Sequence, residues 1–307
     1  MSSTAKPAGG TGATTRASGV GLSLMILCGL SPRHLHVANR LCASARAVAI
    51  VQETGSQLSA GKILRQLEPG NVARKAWRWL RDRRRYRGGG EARFFFGAGA
   101  PRLLRQDLLV EVPHINHPDV VGLADRLQPD VIAVFGTSLI RGPLLDRGRL
   151  GIFNLHGGLS PRYRGADCTF WALYNGEPDQ VGCTLHRIDP GIDTGNLIAH
   201  IRPEVKDGDD ELTLFWRAVR DSADVYAELV ERLGRGDRLG QPQREKGRLY
   251  QVKQRGWREE RELARRLEGG LLHGLSLPRR TEWFMAGEGP RLSDTPADSR
   301  GLSPVAQ

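Results

Sequence analysis

The strongest constraint on the fold is the order of apolar and helical segments between residues 22 and 51. Residues 22–28 are one apolar run, and residues 47–51 are a second. Between them Pro32 opens a helical segment, at a position where proline fits the first turn. A strand, a helix and a strand in so short a stretch form a βαβ unit, which has parallel strands and a right-handed crossover. We therefore expect an α/β fold built around a parallel sheet.

The same alternation continues to residue 233 with one interruption. It predicts strands at 107–112, 130–135, 151–156, 181–188 and 196–201, helices at 118–127, 143–149 and 211–233, and a helix that ends at Tyr174. A basic segment at 71–99 interrupts this order before the third strand, and we expect an inserted helix and loop there. Residues 1–19 are rich in Ser, Thr, Ala and Gly and are predicted to be disordered. Residues 20–233 then form one domain, residues 234–285 a small C-terminal extension with one short strand and one helix, and residues 286–307 a flexible tail.

Composition argues against an integral membrane protein and against a protein held together by zinc or disulfides. The longest apolar run, residues 20–30, is far shorter than the roughly 20 residues of a membrane-spanning helix, and no small-residue cleavage site of a secretory signal follows it. The four cysteines form no CxxC pair, so we expect neither a zinc knuckle nor a disulfide framework, and a cytoplasmic location. The net charge of +11 is compatible with nucleic-acid binding. It is equally compatible with an arginine-rich composition that has no such function.

The usual motifs for phosphate binding and for serine hydrolysis are missing from the sequence. There is no GxxxxGK[ST], no GxGxxG follows the first strand, and no GxSxG occurs. The informative block is residues 153–165, in which Asn154 and His156 stand two apart at a strand end and project from one face. Open α/β sheets place their sites at the carboxyl ends of such strands. An amide donor beside an imidazole would there hold an oxyanion and handle a proton.

Two such residues also fit a simple cap of the strand end. Gly157 and Gly158 favour a site, because they let a backbone approach a ligand closely. Asp193, in the glycine-flanked turn 191–195, supplies a carboxylate that would orient or ionise His156.

The segment from residue 130 to residue 201 resembles the formyltransferases that use 10-formyltetrahydrofolate. Three parts carry this resemblance: Asn154-Leu155-His156, the loop Pro161-Arg162-Tyr163-Arg164-Gly165, and Asp193-Thr194-Gly195. The first strands and helix agree with the start of that family, so the resemblance extends over about residues 22–233. Two departures are Ser160 before Pro161, where many members have leucine, and the basic insertion.

The resemblance implies a doubly wound, Rossmann-like parallel sheet and an enzyme that moves a formyl group to an amine. It implies that Asn154 and His156 stabilise the oxyanion of the tetrahedral intermediate, and that Asp193 keeps His156 charged or relays protons through water. The donor, 10-formyltetrahydrofolate, is expected to contact Phe135, Gly136, Leu139, Ile188, Asp189, Gly191 and Ile192. The acceptor is expected to contact Tyr163, Arg164, Gly165 and His186, and no metal is expected.

The acceptor is less well defined than the donor. Members of the family formylate glycinamide ribonucleotide, methionyl-tRNA or amino sugars on nucleotide carriers, or release formate with water as the acceptor. Residues 170–177 and 182–189 look most like the nucleotide-sugar branch, and the stretch after Gly234 has too few strand-like runs for the C-terminal barrel of the tRNA-formylating members. We therefore expect a small amine, phosphorylated or not, such as an amino sugar on a nucleotide or a specialised metabolite. A methionyl-tRNA formyltransferase, a formyltetrahydrofolate hydrolase and, least favoured, a non-enzymatic RNA-binding protein remain alternatives.

Two further features concern partners. The arginine-rich stretch at 74–87 is predicted to form a mobile, solvated helix beside the acceptor, where it either attracts a phosphorylated substrate or has no such role. Trp257, Leu263 and Leu267 offer a contact for a homodimer.

Overall fold

The computed structural model describes residues 21–55, 69–287 and 291–293. The strands of this part of the chain are β1 (Ser23–Cys28), β2 (Arg46–Glu53), β3 (Leu109–Val112), β4 (Val131–Phe135), β5 (Gly151–His156), β6 (Tyr163–Gly165), β7 (Cys183–Arg187), β8 (Leu197–Arg202), β9 (Arg248–Tyr250), β10 (Arg280–Trp283) and β11 (Arg291–Ser293). Its α-helices are α1 (Pro32–Ser44), α2 (Pro69–Arg85), α3 (Gly90–Phe96), α4 (Pro118–Leu127), α5 (Cys168–Tyr174), α6 (Glu211–Gly234) and α7 (Trp257–Glu268). The prediction for residues 1–19 and most of the one for 286–307 lie outside the described residues, although residues 291–293 of the predicted tail form β11.

One mixed sheet organises the molecule. The described strands β11-β10-β8-β7-β5-β4-β1-β2-β3 follow one another across it. The half from β3 to β5 is parallel, which confirms the α/β fold expected from the βαβ start. From β7 onward each strand is antiparallel to its neighbours, which the sequence analysis did not predict. For the pair β7 and β8 the reason is the short connection, because residues 188–196 are too few for the crossover that parallel strands need.

Both faces of the sheet are covered, as in a doubly wound fold. One face packs against α1 and α6, and the other packs against α4. β1 lies in the middle of the parallel half and is buried at every position. This double burial explains why β1 reads in the sequence as a continuous apolar run rather than as an alternating one.

The basic insertion is less solvated than predicted. Arg81 and Arg85 of α2 have side chains only 12% and 18% exposed, and both form ion pairs with carboxylates of other elements. Arg83 and Arg84 are exposed, as expected for a solvated helix. The prediction of a solvated helix is therefore wrong for the side of α2 that carries Arg81 and Arg85.

The C-terminal extension is built into the rest of the molecule. β9 pairs with β6, and β10 adds to the edge of the main sheet beside β8. Leu263 of α7 is 3% exposed and packs in the same cluster as α5, so it is not available for the homodimer contact proposed for it. Trp257 is exposed. Among the described residues, no helix combines the length and the apolar character needed to cross a membrane.

Candidate active site

The three side chains singled out in the sequence meet at the centre of the sheet. Asn154 and His156 lie at the carboxyl end of β5, where β7 pairs with β5 and places His186 opposite Asn154. Asp193 lies in the turn between β7 and β8 with a φ of 52°. This left-handed conformation costs a non-glycine residue about 1–2 kcal/mol. Strain of this kind concentrates where a fold holds a functional side chain in place.

His156 is surrounded by hydrogen-bond acceptors. Its Nε2 lies 3.0 Å from the carbonyl oxygen of Tyr163, and its Nδ1 lies 3.4 Å from Oδ2 of Asp193. Because a carbonyl only accepts, we place a proton on Nε2, which leaves Nδ1 to take up a second proton beside the carboxylate. Burial lowers the pKa of His156, and the Asp193 carboxylate opposes that effect. His156 is thus neutral at rest and placed to gain a proton on Nδ1.

Asp193 is held in its ionised form. Burial alone would raise its pKa, but the neighbouring His156 and the Gly165 N–H, which donates to Oδ2 at 2.9 Å, hold the pKa well below its ordinary value. Gln243 of the C-terminal extension donates to the backbone carbonyl of Asp193 at 2.9 Å. The carboxylate therefore stays charged at any physiological pH.

His186 lies behind Asn154. Its Nδ1 is 2.9 Å from the carbonyl oxygen of Arg187, so Nδ1 carries the proton and Nε2 accepts from Nδ2 of Asn154 at 3.2 Å. Nε2 also lies 3.4 Å from Oδ1 of Asp193. This bond uses one N–H of the Asn154 amide and leaves the other N–H to point elsewhere.

Two cavities meet at these side chains. The larger has a volume of about 820 Å³ and is lined by Asn154, His156 and Asp193. The smaller has a volume of about 160 Å³ and shares Asn154 and Asp193 with the larger one. A group bound across both cavities would place its middle against the Asn154 amide.

The residues predicted for the donor are divided between these cavities. Leu139, Ile188, Asp189 and Gly191 line the smaller one, and Phe135, Gly136, Leu139 and Ile192 line the larger one. Asp189 also stabilises its own turn, because its Oδ1 accepts from the hydroxyl of Thr194 at 2.7 Å. The predicted donor residues thus lie on two adjacent cavities that share Leu139, Asn154 and Asp193.

The residues predicted for the acceptor are not brought together. Tyr163 is 2% exposed and its hydroxyl donates to Glu177 at 2.6 Å, so its side chain lies in the core. Arg164 lines neither cavity and donates to the carbonyl of Ile192. His186 lines the smaller cavity and Gly165 the larger one. The group of Tyr163 that faces the site is its carbonyl oxygen, which lies 3.0 Å from Nε2 of His156.

Other lining residues of the larger cavity come from distant segments. Arg81 and Arg85 belong to the arginine-rich stretch of α2 that was predicted to lie beside the acceptor. Tyr250 from β9 and Arg255 from the segment before α7 come from parts of the chain that the sequence analysis did not connect to the site. The Arg255 side chain is only 2% exposed. No feature of the sequence around residue 255 signals that burial.

Within residues 21–55, 69–287 and 291–293, no group of three or more His, Cys, Asp or Glu side chains is arranged to hold a metal ion. The thiol of Cys168 lies 3.6 Å from Nε2 of His156. Burial raises the pKa of Cys168 well above its ordinary value, so the thiol stays neutral.

Residues 99–230 match the family model described as formyl transferase. This segment contains Asn154, His156 and Asp193, and it excludes β1, β2, α2 and everything after α6. The match therefore covers the chemistry of the site but not all of the larger cavity.

Three solved structures illustrate the similarity of the whole chain. A sugar N-formyltransferase from Shewanella sp. FDAARGOS_354 is 13% identical with a TM-score of 0.49, over 91% of this chain and 99% of that one. A glycinamide ribonucleotide transformylase from Symbiobacterium toebii is 19% identical with a TM-score of 0.45, over 74% and 94%. A formyltransferase from Anoxybacillus kamchatkensis, in complex with a UDP-linked formamido sugar and tetrahydrofolate, is 18% identical with a TM-score of 0.42, over 76% and 87%. These values are too low to carry an argument about the acceptor.

Proposed function

We propose that this chain, a member of the formyl transferase family, moves a formyl group from 10-formyltetrahydrofolate to a primary amine of a small acceptor. The observation that carries the proposal is the meeting of Asn154, His156 and Asp193 where two cavities adjoin. Asn154 and Asp193 line both cavities, and His156 lines the larger one. Donor and acceptor would therefore meet at these side chains from different sides.

The chemistry of formyl transfer fits the groups at this junction. Attack by the amine turns the formyl oxygen into an oxyanion, which needs a fixed donor, and the second N–H of Asn154 supplies one. The attacking amine must lose a proton, and Nδ1 of His156 can accept it with the Asp193 carboxylate 3.4 Å away. The imidazolium formed in this way stabilises the oxyanion further, and the same proton can pass through water to the departing nitrogen of the folate.

The donor fits the smaller cavity only in part. The apolar side chains Leu139, Ile140 and Ile188 can cover a flat ring, and Asp189 offers hydrogen-bond acceptors at its edge. A volume of about 160 Å³ is below the roughly 300–1,000 Å³ of sites that enclose a whole drug-sized ligand. We infer that the ring system of the donor lies there, while the formyl group and the rest extend into the larger cavity.

For the acceptor we propose an amino sugar on a nucleotide or a specialised metabolite that carries a primary amine. The larger cavity has room for such a molecule at about 820 Å³. Arg81 and Arg85 lie on its wall but are paired with carboxylates, so they are not free charges for a phosphate. The exposed arginines Arg83 and Arg84 are better placed to attract an anionic acceptor from solution.

A screen of amines with 10-formyltetrahydrofolate tests the proposed function. Nucleotide-linked amino sugars, free amino sugars, glycinamide ribonucleotide, methionyl-tRNA and a sample without amine are compared, with tetrahydrofolate release and the mass of the formylated product as readouts. We expect release that depends on one small amine, is lost in Asn154→Ala and is retained in Asp207→Asn, a surface change. Equal release without amine would instead show a hydrolase, formylation of methionyl-tRNA alone would show the tRNA activity, and no release with any acceptor would refute the proposal.

A further inference from the structure

We propose that Arg255 is a positioning residue of the active site, which holds the loop at residues 163–167 against Asp193 by way of Asp167. Arg255 lies in the C-terminal extension, outside the segment that matches the family model. The expected effect on kcat rests on the proposed function. The expected effect on the order of the loop can be measured without any substrate.

The Arg255 guanidinium is a buried hub between three carboxylates. Its Nε donates to Glu260 at 2.7 Å, its Nη1 to Asp167 at 2.8 Å and to Glu211 at 3.0 Å, and its Nη2 to Glu211 at 2.9 Å. Its Cζ lies 3.9 Å from the centre of the Phe170 ring. The planar fork of arginine suits such multiple pairing, and lysine could not reproduce it. One side chain thus joins the start of α7, the start of α6 and the residue before α5.

Asp167 occupies a backbone conformation that needs support. Its φ is 57° and its ψ is 35°, in the left-handed region. An aspartate tolerates this region better than most residues but still pays a conformational cost there. The ion pair with Arg255 offsets that cost, and it fixes the direction in which the chain leaves β6.

The residues just before Asp167 contact the catalytic carboxylate. Gly165, two positions earlier, donates its N–H to Oδ2 of Asp193 at 2.9 Å. Tyr163, at the start of the same loop, places its carbonyl oxygen 3.0 Å from Nε2 of His156. A shift of this loop would therefore disturb both residues of the His156–Asp193 pair at once.

A second set of bonds from the extension acts on the same loop. β6 pairs with β9, and the N–H of Ala166 donates to the carbonyl of Tyr250 at 2.9 Å. Gly165 has a φ of 87° and lies so close to the Tyr250 carbonyl that an added Cβ would collide with it. The loop is thus held between Asp193 on one side and the extension on the other. Arg255 adds an ion pair to the backbone hydrogen bonds by which the extension holds the loop.

The cluster also reaches the basic insertion. Arg85 of α2 donates to Oε2 of Glu211 at 2.7 Å, the same oxygen that accepts from Arg255. Burial would raise the pKa of Glu211, but the two guanidinium groups lower it below its ordinary value. The insertion and the extension are therefore connected through Glu211, and also through Glu260, whose Oε1 lies 3.6 Å from Nη1 of Arg81.

Three variants separate positioning from a general role in stability. Arg255→Gln removes the hub, and Asp167→Asn removes only its link to the loop, with a residue that also tolerates the left-handed conformation. Glu260→Gln is the matched comparison, because it removes another partner of the same guanidinium, one that connects Arg255 to α7 and α2 but not to the loop. Each variant is analysed by hydrogen exchange of peptides covering 163–167, by melting temperature, and by steady-state kinetics with the acceptor found in the screen.

We expect Arg255→Gln and Asp167→Asn to speed exchange at residues 163–167 and to lower kcat about 10- to 100-fold, the size of effect that small misplacements of reacting groups produce. The KM for the folate donor should stay within about twofold. Glu260→Gln should lower the melting temperature but keep kcat within about threefold. The double variant of Arg255 and Asp167 should be no slower than the worse single one, since both act through one link.

Two results would overturn the inference: unchanged exchange at 163–167 in both variants, or faster exchange with wild-type kcat. Additive losses in the double variant would show instead that Asp167 acts on the acceptor directly. Should Arg255→Gln fail to fold, Asp167→Asn decides alone. Wild-type protein that transfers no formyl group would refute the proposed function, and the exchange data would still decide whether Arg255 holds the loop.

Discussion

Replacing Asp193 with asparagine removes a charge from the centre of the site while nearly preserving its shape. The carboxylate lies 3.4 Å from Nδ1 of His156, and the two side chains are 13% and 7% exposed. At an effective dielectric constant of about 20, a unit charge pair at this distance interacts with 332/(20 × 3.4), or about 5 kcal/mol. That energy corresponds to a factor of somewhat more than a thousand in rate. Because His156 is charged only after it takes the proton of the amine, the energy is realised mainly in the transition state.

Asp193→Asn should therefore lower kcat about a thousandfold, with little change in either KM. Single-turnover release of tetrahydrofolate measures the chemical step, and a melting curve shows whether the variant is folded. Asp207→Asn is a matched control, because Asp207 also lies 3.4 Å from a histidine nitrogen, but in a pair that is 58% and 83% exposed. Solvent screens that pair, so its loss should leave kcat at the wild-type value. A folded Asp193→Asn enzyme with more than a tenth of the wild-type kcat would refute the assignment of Asp193.

Two further predictions concern pH and the loop. Burial lowers the pKa of His34 to about 3 and of His200 to about 4. Below pH 6.5 the unfolded chain therefore binds protons at these two histidines that the native state does not bind. The free energy of unfolding should fall by about 4 kcal/mol for the pair from pH 7 to pH 5. Urea unfolding at the two pH values measures this change, and no decrease would contradict the prediction. Gly165→Ala should abolish most of kcat and lower the melting temperature, because its Cβ would meet the Tyr250 carbonyl. Gly176→Ala, at a similar φ of 76° but in open space, carries only the strain of the left-handed backbone, so it should lower the melting temperature by less than Gly165→Ala and leave kcat unchanged.

The parallel half of the sheet and the positions of Asn154 and His156 follow from short-range patterns. The apolar runs of β1, β4 and β5 are long enough to identify buried strands. Asn154 and His156 are two apart on one strand, so their common face needs no tertiary information. Asp193 is different, because no short-range pattern places its turn beside the end of β5. Its pairing with His156 was predicted from the chemistry of a carboxylate and an imidazole and from the resemblance to a family.

Backbone roles and distant pairings could not be read from the sequence in the same way. Tyr163 belongs to the motif, yet its side chain bonds to Glu177 and only its carbonyl faces the site. Two of the three carboxylate partners of Arg255, Glu211 and Asp167, lie 44 and 88 residues away. The composition does not show which of the 45 lysines and arginines in the chain is buried between three carboxylates. β10 was missed because Arg-Thr-Glu-Trp has no apolar run.

Part of the site lies inside the segment that matches the family model, and part lies outside it. This division suggests which residues can vary when the acceptor changes. Asn154, His156 and Asp193, to which we assign the oxyanion and the proton, lie within residues 99–230, which match the family model. The arginines of α2 and the residues at 249–255 line the larger cavity from outside that segment. Arg255 also holds Asp167, and with it the loop beside Asp193. A substitution of Arg255 would therefore alter the rate of formyl transfer as well as the binding of the acceptor. The acceptor is therefore better sought by varying α2 and the exposed lining of the extension than by varying the ion cluster, whose loss would lower kcat for every amine alike.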